Sequence, residues 1–236
     1  MAAPAKKKEP TWEELVLKNQ KDTAAAQARL QRELPGYRNV VDPKSKVTTA
    51  KRIENTRRAV KLHGEPYRAV IEQVAKKRNV PADWLLGIFS VEQQGNEKYG
   101  DYKASSRAGA KGPFQITDEM AKKFNINRDD VASSADGTAQ VLAELRDRLG
   151  TTDPLVLGAM YNAGDRIVRQ YGGDANTQLP IETQQYTAAL QVALEELANT
   201  PKQPQGAREV IRYLLGPSMS SALEGLFDKN KQGSKP

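Results

Sequence analysis

The sequence predicts an all-α protein, and three observations carry that reading. Apolar residues recur at three- and four-residue spacing, helix start signals stand in front of several of these stretches, and alternating β-branched runs are few. No internal repeat and no sustained heptad accompanies them. A chain of 236 residues can be one large domain or a medium domain with appendages. Only 38% of its residues are hydrophobic and 28% are charged, and no apolar run approaches the roughly 20 residues that span a bilayer, so an integral membrane protein is excluded.

Residues 1–10 read as a disordered basic tail, and residues 11–65 as a basic helical N-terminal arm. Within the arm, Thr11 opens a helix that runs to Leu34, where "PGYRNVVDPKS" breaks it. A second helix covers Thr49–Leu62 and stops at "HGEP"; its Arg-rich polar face needs a partner. Residues 66–200 then form the body. It comprises "YRAVIEQVAKKRN", a helix from Pro81 to Gly95, a polar loop, a short helix around Asp118–Phe124, and a longer one from about Ser134 to Leu149. Asp153 followed by Pro154 starts the next helix, a side-chain cap before a ring that fits the first turn. Pro180 starts the last, on which Tyr186, Leu190, Ala193 and Leu197 share one face. Residues 201–236 read as a C-terminal tail with two short amphipathic helical pieces.

The net charge of +7 is unevenly placed: residues 1–66 hold 15 Lys/Arg against 8 Asp/Glu, and the remainder balances. A basic segment on a neutral body suits contact with nucleic acid, an anionic membrane or an acidic partner; a solvated helix with interspersed charges is the plainer alternative. The opening "MAAPAKKKEPTWEE" has no apolar core of a secretory signal.

Elimination narrows the chemistry. There is no cysteine, and His63 is the sole histidine, so thiol nucleophiles, Ser-His-Asp triads and His-based zinc sites are excluded. Phosphate-cradling glycine motifs are missing. Carboxylates remain as acid and base. Glu92 continues the stripe of Leu85, Ile88 and Phe89 on its helix. A carboxyl there is desolvated, which raises its pKa as a general acid requires; a Glu swinging into solvent at the helix end fits the same spacing. In "GAKGPFQIT", residues 109–117, two glycines and a proline mark a turn, read either as a loop between helices with a core Phe or as a binding wall.

From about Pro81 to Glu195 the chain resembles the soluble lytic transglycosylase domain, a goose-type-lysozyme-like family that cleaves peptidoglycan glycan chains. The resemblance rests on four blocks in order: Glu92 in "FSVEQQG"; Ser106, Gly109, Ala110, Gly112 and Gln115 in "SRAGAKGPFQIT"; Tyr161 and Asn162 in "MYNAG"; and Leu179, Pro180, Glu182, Thr183 and Tyr186 in "LPIETQQY". It implies a lysozyme-like helical fold with Glu92 as the catalytic acid. Ser106, Gly112, Phe114, Gln115, Tyr161, Asn162 and Glu182 are implied as substrate-binding: the glycines let backbone approach a glycan, Phe114 packs or stacks on sugar, and Gln115 aims a hydrogen bond. Tyr161 orients Glu92, Asn162 contacts an N-acetylated sugar or holds the helix end, and Glu182 adds a second acidic group, although a first-turn Glu is also favoured by the helix dipole alone. The sequence departs from the family at Glu92-Gln93, where Glu-Ser is usual, and at Gly112-Pro113-Phe114-Gln115, where Gly-Leu-Met-Gln is usual.

The resemblance implies cleavage of the β-1,4 bond between N-acetylmuramic acid and N-acetylglucosamine with a 1,6-anhydro product, without metal or organic cofactor. A hydrolytic lysozyme on the same site and a noncatalytic assembly or ejection protein using the basic arm are the alternatives. With the basic arm and no visible leader, the expected setting is a phage virion acting in the host periplasm or cell wall during genome entry, with a lysis-phase endolysin as the rival. Partners would be glycan strands, other virion proteins, and nucleic acid or anionic membrane through residues 1–66.

Overall fold

A computed structural model describes residues 24–25, 28–30, 32, 34, 36–96, 102, 105–106, 109–170 and 179–200. The basic tail at 1–10, most of the helix expected over 11–34 and the C-terminal tail at 201–236 lie outside the described residues. The described chain is helical, with no strand among its residues and only isolated bridges such as Val41 to Thr48 and Lys111 to Ile116. The all-α class expected from the periodicity is what is found.

The helices are α1 (Thr49–Ala59), α2 (Glu65–Arg78), α3 (Ala82–Glu92), α4 (Asp118–Phe124), α5 (Val131–Leu149), α6 (Pro154–Ala163), α7 (Asp165–Gln170) and α8 (Ile181–Asn199). Their starts follow capping chemistry. Thr48 accepts from the Lys51 amide, Thr117 from that of Met120, Asp130 from that of Ser133 and Asp153 from that of Leu155, each side-chain oxygen satisfying an amide that has no partner within the helix. Asp130 explains why α5 begins at Val131 and not at the expected Ser134. The short α7 was not anticipated from the sequence pattern.

The expected break at "HGEP" does not occur. Residues Val60–Gly64 form a π turn that passes directly into α2. Pro66 falls in the first turn of α2, where its ring has no N–H to donate back into the π turn. Gly64 lies so close to α3 that an added Cβ would stand 2.8 Å from the Ser90 hydroxyl. The π turn buries His63 completely and lets its Nε2–H donate to the Asn96 carbonyl at 3.0 Å.

Helix α8 is the axis of the body: α1, α3 and α6 all pack on it. Small residues make the approach close. A Cβ added at Gly158 of α6 would sit 2.2 Å from Leu190 Cδ2, and one at Gly87 of α3 2.9 Å from Leu190 Cδ1. The expected face of Tyr186, Leu190, Ala193 and Leu197 is buried in that core. On the far side, Ala188 and Val192 join Leu30, Leu34, Tyr37 and Ile53 in a smaller cluster. The partner that the Arg-rich helix requires is therefore α8, with Arg57 Nε bonded to Glu196 Oε1 at 3.1 Å. The described part of the basic arm packs on the body through this cluster.

Gln185 anchors the preceding loop as well. Fully buried, it donates through Nε2 to the carbonyls of Val40 at 2.9 Å and Val47 at 3.0 Å. Gln185→Met keeps the volume but removes one hydrogen bond from each carbonyl, leaving Val40 with the Thr49 amide and Val47 with the Asp42 amide. It is expected to cost about 1–3 kcal/mol in chemical denaturation; unchanged stability would show that the loop does not depend on this amide.

Candidate active site

Glu92 is the last residue of α3, on a helix otherwise buried from Leu85 to Val91. Behind it lies an aromatic cluster: Phe89 stacks on Phe114 with centroids 5.2 Å apart and meets Tyr67 and Tyr102 edge-on at 5.7 and 5.6 Å. Glu92 keeps some accessible surface, yet its carboxyl is closely surrounded, and burial pushes its pKa up to about 7. The Tyr186 hydroxyl and then the positive charge of Arg52 pull the value down, while the negative charge of Glu182 adds to the rise. A carboxyl that still holds its proton near neutrality can donate it.

The groups around this carboxyl come from three other helices. Tyr186 of α8 is 2% exposed; its buried hydroxyl makes no hydrogen bond of ordinary length among the described residues, and the carboxyl it interacts with is that of Glu92. Burial, and next the charge of Glu92, push the Tyr186 phenol well above its ordinary range, so it stays a neutral donor. Tyr161 of α6 feels the same charge, but its hydroxyl donates to the Phe114 carbonyl at 2.7 Å and lies 3.3 Å from Thr138 Oγ1. Arg52 is half-buried on α1 beside the buried stripe of Thr49, Ile53 and Thr56. Glu182, in the first turn of α8, is paired with Lys44 at 3.4 Å on the exposed side.

Several expected roles are corrected. Phe114 cannot stack on sugar: it is wholly buried against Phe89, and the residue serves the site through its carbonyl. Gly112 is close to protein and not to an open surface, because at φ +79 an added Cβ would fall 1.8 Å from the Arg128 carbonyl oxygen. Tyr161 bonds the turn, and the phenol beside Glu92 is Tyr186. Gln115 is held at φ 48 with Nε2 donating to the Gly112 carbonyl at 3.0 Å. The exposed Ser106 accepts from the Ala110 amide at 3.0 Å, closing the start of the loop. Asn162 is half-buried beside Tyr161 at the end of α6. The structure thus gathers Glu92, Tyr161 and Glu182, and links the 112–115 turn to them through carbonyls.

Two residues were missed as site groups. Tyr186 was legible in "LPIETQQY" and on its helix face but was read as packing; Arg52 carried no signal beyond being one of many cations in a basic segment. Among the described residues, no group of His, Asp and Glu is arranged to hold a metal ion.

With this geometry in place, the comparison with known families is direct. Residues 69–183 match the model of the transglycosylase SLT domain. The SLT match supports the lysozyme-like family for this stretch and, with it, activity on peptidoglycan of the lytic transglycosylase kind. It contains Glu92, the 106–115 loop, Tyr161, Asn162 and Glu182, but it begins after α1 and ends in the first turn of α8. Arg52 and Tyr186 both lie outside the SLT stretch. No curated protein matches the chain.

The elevated pKa has a stability consequence. Between the ordinary Glu value of 4.5 and about 7 the unfolded chain ionises while folded Glu92 keeps its proton, so stability falls as pH rises through that window and is level above it. Glu92→Gln should remove this slope and raise the melting temperature at pH 8 relative to pH 4, by up to a few kcal/mol of stability. An NMR titration of the carboxyl should place its midpoint near 7 and find it higher in Tyr186→Phe and in Arg52→Gln, since each removes a group that lowers it. A downward shift in either variant would contradict the assignment.

Proposed function

We propose that the chain is a peptidoglycan lytic transglycosylase acting on the β-1,4 bond between N-acetylmuramic acid and N-acetylglucosamine. The observation that carries this reading is a single desolvated carboxyl, Glu92, protonated near neutrality beside a neutral phenol and a guanidinium. Most glycosidases place two carboxyls about the scissile bond. Here the second acidic group, Glu182, stands at an exposed helix start paired with Lys44, which supports a mechanism that uses one carboxyl twice.

In that mechanism the Glu92 carboxyl gives its proton to the glycosidic oxygen, the C1–O bond breaks, and N-acetylglucosamine leaves with a 4-hydroxyl. The muramoyl C1 becomes oxocarbenium-like. The Glu92 carboxylate then takes the proton of the muramoyl 6-hydroxyl as that oxygen closes onto C1, forming the 1,6-anhydro ring and restoring the acid. Tyr186 and Arg52 serve the interval in which Glu92 is charged, the hydroxyl by donating and the guanidinium by its field. Ser106, Gln115 and Asn162 are the proposed glycan contacts, and Gly112 and Phe114 shape the turn that presents Gln115.

The proposed setting is a phage particle whose enzyme opens the host wall during genome entry, a reading supported by the charge concentrated in residues 1–66. That segment would meet other virion proteins, nucleic acid or an anionic membrane. Detection of the protein by mass spectrometry in purified particles is the expected result, and its absence from them would sink the virion setting.

Digestion of purified peptidoglycan, followed by mass spectrometry without a reduction step, should release fragments ending in 1,6-anhydromuramic acid. Reducing muramic ends would assign a hydrolase to the same site. Glu92→Gln should lower release a hundredfold or more, on the order of the loss of a general acid, while remaining folded.

A further inference from the structure

Glu92-Gln93 is a point where this sequence leaves the Glu-Ser of the family it resembles. Gln93 caps α3 at φ −96, ψ 6 and is 4% exposed, so its amide must find partners inside the protein. Both ends do. Nε2 donates to the Pro113 carbonyl at 2.8 Å, and Oε1 accepts from Asn96 Nδ2 at 3.3 Å. The Asn96 carbonyl in turn accepts from His63 of the π turn at 3.0 Å.

The turn is held a second time at the adjacent peptide, where the Phe114 carbonyl accepts from Tyr161 at 2.7 Å. Two consecutive carbonyls are therefore gripped by side chains from two different helices, α3 and α6. A serine hydroxyl at position 93 ends well short of the point that the Gln93 amide reaches, so it cannot make the same bond unless the turn moves toward α3. The backbone of the turn has little slack for such a move: Gly112 already abuts the Arg128 carbonyl, and Gln115 occupies the left-handed region at φ 48.

We infer that Gln93 is a positioning residue that sets the spacing between the acid-bearing end of α3 and the Gly112–Gln115 turn. It touches no reacting atom. Its side chain spans from the residue next to Glu92 to the backbone that presents Gln115, and Asn96 and His63 brace it from behind. The catalytic consequence rests on the transglycosylase reading above, whereas the strut itself does not.

The test uses the full chain carrying Gln93→Met, which keeps the volume and loses both hydrogen bonds. The Lys111, Gln115 and Ile116 amides close the turn onto the carbonyls of Ile116, Gly112 and Lys111, and their hydrogen exchange reports its order. They are expected to exchange about tenfold faster or more, with α5 and α8 amides unchanged. The maximal rate of fragment release from peptidoglycan should fall roughly tenfold with little change in the half-saturating amount, because alignment is lost more than binding. Unchanged exchange in the turn would overturn the inference, as would accelerated exchange spread uniformly over the chain. If Gln93→Met does not fold, Gln93→Ser is read by the same exchange measurement and the same two outcomes. A wild-type protein that releases nothing would defeat the proposed activity, while the exchange result would still decide the strut.

Discussion

The rest of the body depends on how closely α3 and α6 approach α8 at Leu190. Gly87 and Gly158 reach that side chain from two directions, at distances where an added Cβ would collide with it. Each glycine forgoes roughly 1 kcal/mol of helix propensity relative to alanine, offset by the packing the approach permits. The contact also fixes the chemistry. Tyr186 lies one turn before Leu190, Glu92 five residues after Gly87 and Tyr161 three after Gly158, so one small packed locus sets how three helices present their polar groups.

Around that locus the protein separates surroundings that repel charge from groups that tolerate it. Burial makes ionisation of Glu92 costly, whereas Tyr186 and Arg52 limit that cost. The balance near neutrality differs from either extreme. A carboxyl under burial alone would hold its proton too tightly to lose it, and one with cations alone would have lost it already. The balancing groups are contributed by α1 and the second turn of α8, so residues 69–183, the stretch matched by the SLT model, do not by themselves contain the full electrostatic setting of Glu92.

Much of this was legible in the sequence. Capping residues and periodicity located α4, α6 and α8, and the stripe through Leu85, Ile88 and Phe89 singled out Glu92. What was not legible involves reach across space. For Phe114 the resemblance implies packing or stacking on sugar and the turn alone also allows a core Phe; its ring is buried against Phe89, as that alternative has it. Tyr161 and Tyr186 are both phenols on helices near the motif, and only the fold shows which hydroxyl meets Glu92. Arg52 is one cation among many until α1 is laid on α8. The "HGEP" break failed because local signals cannot anticipate that Gly64 will be needed against Ser90.

The π turn at Val60–Gly64 has a consequence for helical phase. A π turn carries one more residue than the α-helical turn it replaces, and each residue of an α-helix advances the azimuth by about 100°. Shortening this segment by a single position would leave a smoother helix from Thr49 to Arg78, yet it would swing α1 round its axis relative to α2. Arg52 would then point away from Glu92 and His63 away from Asn96. The irregularity therefore acts as a phase offset, allowing one continuous rod to serve the α8 interface with its first half and the body core with its second.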